Sequence, residues 1–150
     1  MLSSDDLRAA IRGDPADQAV SRTAFGILHR ELGKRLLAGR LVVVDATNLT
    51  EAARAALLRR AGAATVRAIA IVLVPPAAVV HARNAARPGR VVPADVVDRQ
   101  LAAAAAIGAD AHEIAARLRT EGFVAVHVLE TPEAIDALTI VRSPRPSHPR

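Results

Sequence analysis

The stretch Leu41-Val42-Val43-Val44-Asp45-Ala46-Thr47-Asn48 sets the fold of this 150-residue chain. Four consecutive apolar residues, three of them β-branched, favour an extended strand. They do not alternate with polar residues, so both faces of the strand are expected to be buried, as in a parallel sheet covered by helices. An acid follows at the strand's carboxyl tip. The turn after it has two readings. Asp45-Ala46-Thr47-Asn48 is the kind of turn whose short side chains bond their own backbone. It also places a carboxylate where a Walker-B-type acid orders Mg²⁺ or its water shell.

The flanking segments read as helices and further strands. Before the run, Asp5 to Ile11 predicts a short helix that Ser3 or Ser4 can cap, and Gly13-Asp14-Pro15 predicts a turn. Val20, Ile27, Leu28, Leu32 and Leu36 recur at helical spacing and predict a helix from Ala16 to Ala38, stopped by Gly39. After the run, Thr50 predicts the cap of a helix to about Arg60, ended by Gly62. Val66 to Val74 predicts a second buried strand. Pro75-Pro76 opens a helix to about Arg87, and Pro88-Gly89 is a turn. Pro93 opens a long helix to about Thr120, and Gly122 closes it. Phe123 to Leu129 predicts a third strand, and Thr131-Pro132-Glu133 starts a last short helix. Apolar strands separated by helices indicate an α/β fold with a parallel sheet. Ligands in such folds sit at the carboxyl ends of the strands.

Composition narrows the function classes. The chain is 51% hydrophobic and 23% charged, which supports a packed core. That core must be aliphatic, because there are two Phe, one Met and no Trp or Tyr. Only Phe25 and Phe123 could stack on a base. The absence of Cys excludes disulfides, thiol nucleophiles and Cys-ligated metals. No apolar run has the length of a membrane span, and Met1 to Asp6 lacks the pattern of a signal peptide. A cytoplasmic domain without membrane partners is expected over residues 1–141, followed by a Pro- and Arg-rich disordered tail over 142–150. The net charge is +5, and Lys34 is the one Lys among 20 basic residues. Arg is a good phosphate ligand. The bias toward Arg and Ala is also what a GC-rich coding sequence gives.

Three groups of residues carry possible chemistry. Asp5 and Arg8 share one face of the first helix. They read either as an ordinary helix start or as a carboxylate that accepts a proton beside a cation that holds a phosphate. Asp45 stands at the strand tip already described. Arg83, Arg87 and Arg90 cluster around a helix end, either as a solvated face or as a set focused on a polyphosphate. The five His show no metal-ligand spacing and are read as structural or surface residues.

The ordered set of segments resembles the kinase module of bacterial polynucleotide kinases, within the P-loop kinase group. The matching stretches are Ser3-Ser4-Asp5-Asp6-Leu7-Arg8, Asp17-Gln18 with the helix that follows, and Arg40 to Asn48. Arg83-Asn84-Ala85-Ala86-Arg87-Pro88-Gly89-Arg90 and Glu121-Gly122-Phe123 also match. The resemblance spans about residues 2 to 137. It implies a parallel sheet with helices on both faces and a helical lid. It implies Asp5 as the general base toward a 5′-hydroxyl, and Arg8, Gln18, Thr47 and Asn48 as substrate-binding residues. Arg83, Arg87 and Arg90 would form the lid over the ATP phosphates, with Arg83 and Arg87 catalytic, and Asp45 would act indirectly on Mg²⁺. ATP and Mg²⁺ are the implied cofactors. A polynucleotide 5′-end or a small phosphate-bearing acceptor is the implied partner.

The chain departs from that group at its defining element. No G-x-x-x-x-G-K-[ST] segment occurs, and Lys34 lies on a helix instead of following a strand. In the group, the first strand sits centrally, between the strands that match Leu41 to Val44 and Val66 to Val74. Without it, those strands must close up and pair, or leave an uncovered row of backbone groups. The expectation is therefore a P-loop kinase-like domain lacking its first central strand and phosphate loop, truncated at its N-terminus and inactive as given. Two other functions compete: a kinase of a small hydroxylated substrate, and a non-catalytic module that binds nucleic acid or a partner through its Arg residues.

Overall fold

The computed structural model describes residues 1–11, 18–88 and 91–141, and the side chains of residues 18–21 lie outside that description. So do the Gly13-Asp14-Pro15 turn, Asp17, Gly89, Arg90 and the 142–150 tail.

The order is β1 (Leu2–Ser3), α1 (Ser4–Ala10), α2 (Gln18–Leu37), β2 (Val44–Asp45), α3 (Glu51–Ala63), β3 (Ile69–Leu73), α4 (Ala77–Ala85), α5 (Ala94–Ala105), α6 (Ala111–Glu121), β4 (Ala125–Leu129) and α7 (Pro132–Asp136). The fold is α/β with parallel pairing, compatible with a P-loop kinase-like architecture. The caps predicted from sequence form. Ser3 Oγ accepts from Asp6 N, Thr50 Oγ1 from Ala53 N, and Thr131 Oγ1 from Ala134 N. Gly122 closes α6 at φ +119°, a backbone state that glycine adopts without a Cβ penalty.

The sheet is not continuous. β1 pairs with β2, with Leu2 opposite Val44 and Ser3 opposite Asp45. β3 pairs with β4, with Ile69 opposite Ala125 through to Leu73 opposite Leu129. Both pairs are parallel, and among the described residues no strand joins them. Each half has its own apolar cluster. Leu2, Leu28 and Leu32 pack with Val42, Val44 and Leu57 on one side. Ile114, Leu118, Phe123 and Val126 pack with Ala70, Val72 and Leu58 on the other. Helix α3 thus serves both, through the adjacent residues Leu57 and Leu58.

Between the halves lies a groove of about 550 Å³, lined by Val42, Val43 and Val44 on one side and by Ile69, Ile71 and Leu73 on the other. This groove corrects the expectation of strands buried on both faces. Leu41 is exposed and only Val44–Asp45 forms regular strand, because the ladder has a partner on one edge only. In β3 the side chains alternate. Ala70 and Val72 pack into the α6 core, while Ile69, Ile71 and Leu73 remain open.

Two helix boundaries also differ from expectation. Gly62 lies inside α3, and the helix ends past Ala63, where Thr65 takes the left-handed turn at φ +55°. The predicted helix from Pro93 to Thr120 is two helices. Asp110 starts the second by accepting from Glu113 N at 2.8 Å, while the Glu113 carboxylate accepts from Ala109 N at 2.9 Å. This exchange satisfies free amides at the helix start and makes a new beginning there favourable. Gly108 permits the tight turn before it, since a Cβ there would lie 2.6 Å from Ile114 N. We expect Gly108→Ala to destabilise the chain by about 1–3 kcal/mol through this overlap with backbone atoms. A thermal melt checks this, and an unchanged midpoint would show that the turn relaxes without cost.

Candidate active site

The register of β1 on β2 assembles the site. Ser3 lies opposite Asp45, so the start of α1 and the turn after β2 leave the sheet side by side at its carboxyl end. Ser4 is buried, while Asp5 is about half exposed. Arg8, one helical turn on, donates from Nη2 to Asp5 Oδ1 and, at 3.5 Å, to Ser4 Oγ. Arg87 donates from Nη2 to Asp5 Oδ2 at 3.3 Å. Each carboxylate oxygen therefore holds one guanidinium, one local and one from 82 residues away. Burial pushes the Asp5 pKa up, but the hydrogen bonds and charges of Arg8 and Arg87 outweigh it and hold the group below its ordinary value. Asp5 is thus ionised throughout the neutral range, in the state that accepts a proton.

Of the arginines expected to form the lid, Arg83 and Arg87 take different carboxylate partners. Arg87 reaches Asp5. Arg83 donates instead to both carboxylate oxygens of Asp136 in α7, at 3.1 Å each. A helix running to about Arg87 would set both on one face, but α4 ends at Ala85 and Arg87 lies beyond it. Arg90 lies outside the described residues. Asn84 closes the same loop at its base, accepting from Val92 N at 3.0 Å and donating to Val92 O at 2.8 Å. His81 Nε2 and Asp98 Oδ1, 2.9 Å apart, tie α4 to α5.

Asp45 is exposed at the tip of β2, Thr47 is exposed, and Asn48 is half-buried at φ +42°. Gln18 begins α2, and its side chain is outside the description. Among the described residues no group of three or more His, Cys, Asp or Glu could hold a metal ion. A single carboxylate with a neighbouring hydroxyl does suit Mg²⁺ carried in on nucleotide phosphates, because that ion keeps several waters and takes few protein ligands.

The sequence reading missed the group that holds the strand-tip turn in place. Arg54 is 5% exposed. Its Nε and Nη2 donate to the two Glu121 carboxylate oxygens at 2.6 Å each. Its Nη1 donates to the carbonyls of Asn48 at 3.1 Å and Leu49 at 2.8 Å. One planar fork thereby fixes the turn and joins α3 to the end of α6. The Glu121 pKa is lowered, first by the hydrogen bonds from Arg54, against a smaller upward effect of burial, with the charges of Arg54 and Arg117 adding to the fall. A charged residue at the first turn of a helix gives no sequence sign of such burial.

No membrane-crossing helix exists among the described residues. A comparison with curated proteins finds no match. A protein-family model described as an AAA domain matches residues 1–107. That region runs from β1 through α5 and contains Asp5, Arg8, Asp45 and Arg87, with Glu121 and β4 beyond it. The chain belongs to this AAA domain family, a family of P-loop NTPase-like kinases.

Proposed function

We propose that these residues form the acceptor-binding and proton-accepting part of an ATP-dependent phosphotransferase acting on polynucleotide 5′-hydroxyls. The observation that carries the reading is the Asp5 carboxylate, poised at a strand end with one Arg on each oxygen. Both arginines are exchangeable phosphate ligands. An acceptor's phosphate takes Arg8, and the transferring phosphoryl group takes Arg87. Each exchange removes a cation from Asp5 and raises its basicity at the moment the hydroxyl arrives. Asp5 then takes the hydroxyl proton, the hydroxyl oxygen bonds to the γ-phosphorus, and the bond from that phosphorus to the bridging oxygen breaks to release ADP. Little covalent work falls to the protein, so positioning and charge carry the catalysis. Mg²⁺, when bound with nucleotide, supplies charge neutralisation on the phosphates, and Asp45 is the residue to hold its water shell.

The reaction also needs a cradle of backbone amides for the β- and γ-phosphates, and the sequence contains no such glycine-rich segment. The reading assigns that cradle to a segment that enters the groove between the half-sheets as a parallel strand. The groove suits one, with an open strand edge and apolar side chains on each side. The expected result is transfer of labelled γ-phosphate to a 5′-hydroxyl oligonucleotide by the full gene product, and none by the 150 residues alone. In-frame DNA upstream of Met1 is expected to encode G-x-x-x-x-G-K-[ST]. An upstream stop codon without that segment, or transfer to free nucleosides or sugars in preference to oligonucleotides, would overturn the corresponding half of the proposal.

A further inference from the structure

A cavity of about 410 Å³ opens beside the strand-tip turn, lined by Phe25 of α2, by Thr47, Asn48 and Leu49, and by Val96 and Gln100 of α5. We infer that it seats the base of the acceptor's 5′-terminal nucleotide. This rests on the reading of Asp5 as the proton acceptor.

The chemistry of the walls selects a planar, polar-edged ring. The chain has only two Phe. Phe123 is buried in the α6 core. Phe25 is half-buried and stands on the cavity, backed by the His29 ring at a centroid distance of 6.4 Å. It offers the single aromatic face on which a base can stack. Leu49, Val96, Ala53 and Ala103 add apolar wall, and Thr47, Thr50 and Arg99 add polar groups. Asn48 and Gln100 each bring a side-chain amide, and among the described residues neither amide has a hydrogen-bond partner. An amide carries both donors and an acceptor, the complement of a base edge. The volume falls in the range of sites for ligands of this size.

Position favours the acceptor over the donor nucleotide. Ser3 and Asp45 are opposite one another, so Asp5 and Thr47 each stand two residues past the paired position, on neighbouring strand ends. Thr47 on the cavity wall is thus reached from the strand end next to the one that leads into Asp5. The groove assigned to the phosphate cradle opens on the other edge of β2 and meets the cavity at the shared turn Thr47-Asn48-Leu49.

Ring-proton NMR tests this directly on the 150-residue chain, because two Phe and no Tyr or Trp leave the Phe25 signals nearly alone. The probes are a 5′-hydroxyl thymidine trinucleotide, the same molecule with an abasic 5′ residue, and ATP. The trinucleotide is expected to shift both the Phe25 ring and the Arg8 guanidinium signals. Removing the terminal base, or Phe25→Ala, is expected to weaken binding about ten-fold, in line with the loss of one stacking contact. The two losses should not add. Movement of Arg8 alone, with equal affinity for both oligonucleotides, overturns the base seat and leaves the acceptor reading standing. Movement of Phe25 with ATP but not with the trinucleotide overturns it in favour of the donor. No movement at either residue overturns the acceptor reading and the base seat together.

Discussion

Asp5→Ala is expected to lower the proposed phosphoryl transfer by about 10²–10⁴-fold, the usual contribution of a positioned proton acceptor. The loss should fall on kcat. Binding of the oligonucleotide should hold or tighten, because Arg8 and Arg87 lose the carboxylate that competes for them with phosphate. Asp5→Asn separates charge from shape. It keeps two polar atoms near the guanidinium groups but cannot take a proton at neutral pH, so its rate should match that of the alanine variant. Single-turnover transfer with labelled ATP measures both. An unchanged rate in Asp5→Ala would show that the hydroxyl loses its proton elsewhere, and that the Arg8–Asp5–Arg87 cluster is only a surface ion network.

The largest effect on stability is expected at Arg54. Arg54→Ala or Glu121→Ala removes one partner of a pair whose side chains are 6% and 10% exposed. The charge left behind loses its bidentate partner and keeps only weaker ones, Arg117 at 3.7 Å for Glu121 and the Asn48 and Leu49 carbonyls for Arg54, a situation that costs up to about 3–5 kcal/mol. This is a large share of the roughly 5–15 kcal/mol that a small domain possesses. Replacing both residues with apolar ones of similar size should cost far less. Chemical denaturation of the two single variants and the double variant separates these cases. The pair also sets an acid limit. Glu121 titrates below its ordinary value near 4.5 in the folded chain, so the unfolded chain binds a proton first as pH falls. The stabilisation is complete above the ordinary value and is lost as pH drops through the lower, folded one. Wild-type stability should therefore fall steeply in that acid range, and Glu121→Gln, weaker at pH 7, should fall less. Equal acid slopes in the two proteins would remove Glu121 from the account.

Local signals were legible wherever the cause was local. Ser3, Thr50, Thr131 and Gly122 act through neighbours three or four residues away, and each works as its sequence context predicts. Asp5 and Arg8 are likewise one helical turn apart, and their pairing could be read directly. What failed depended on distance. The burial of Val42 to Val44 and of Ile69 to Leu73 was inferred from their unbroken apolarity. Apolarity records what a strand is suited to contact, whereas exposure records what is there. The partner of Arg83 could not be read, because Asp136 lies 53 residues away on a helix that gave no hint of facing it. Arg54 went unnoticed for a related reason. Its burial is a property of the turn and of α6 closing around it, and nothing in Glu51-Ala52-Ala53-Arg54 announces either.

The divided sheet bears on how the molecule holds together. Among the described residues, two half-sheets with separate apolar clusters share no ladder of backbone hydrogen bonds through which one would feel the loss of the other. Among the described residues α3 links them, with Leu57 in one cluster, Leu58 in the other, and Arg54 reaching across to Glu121, and the exposed Arg87–Asp5 ion pair adds a second tie. Such a chain is expected to open in two units, coupled mainly through α3. A strand seated between them would do more than add contacts. It would join the two units into one, so that the segment delivering the phosphate cradle would also decide whether the domain opens in parts or as a whole.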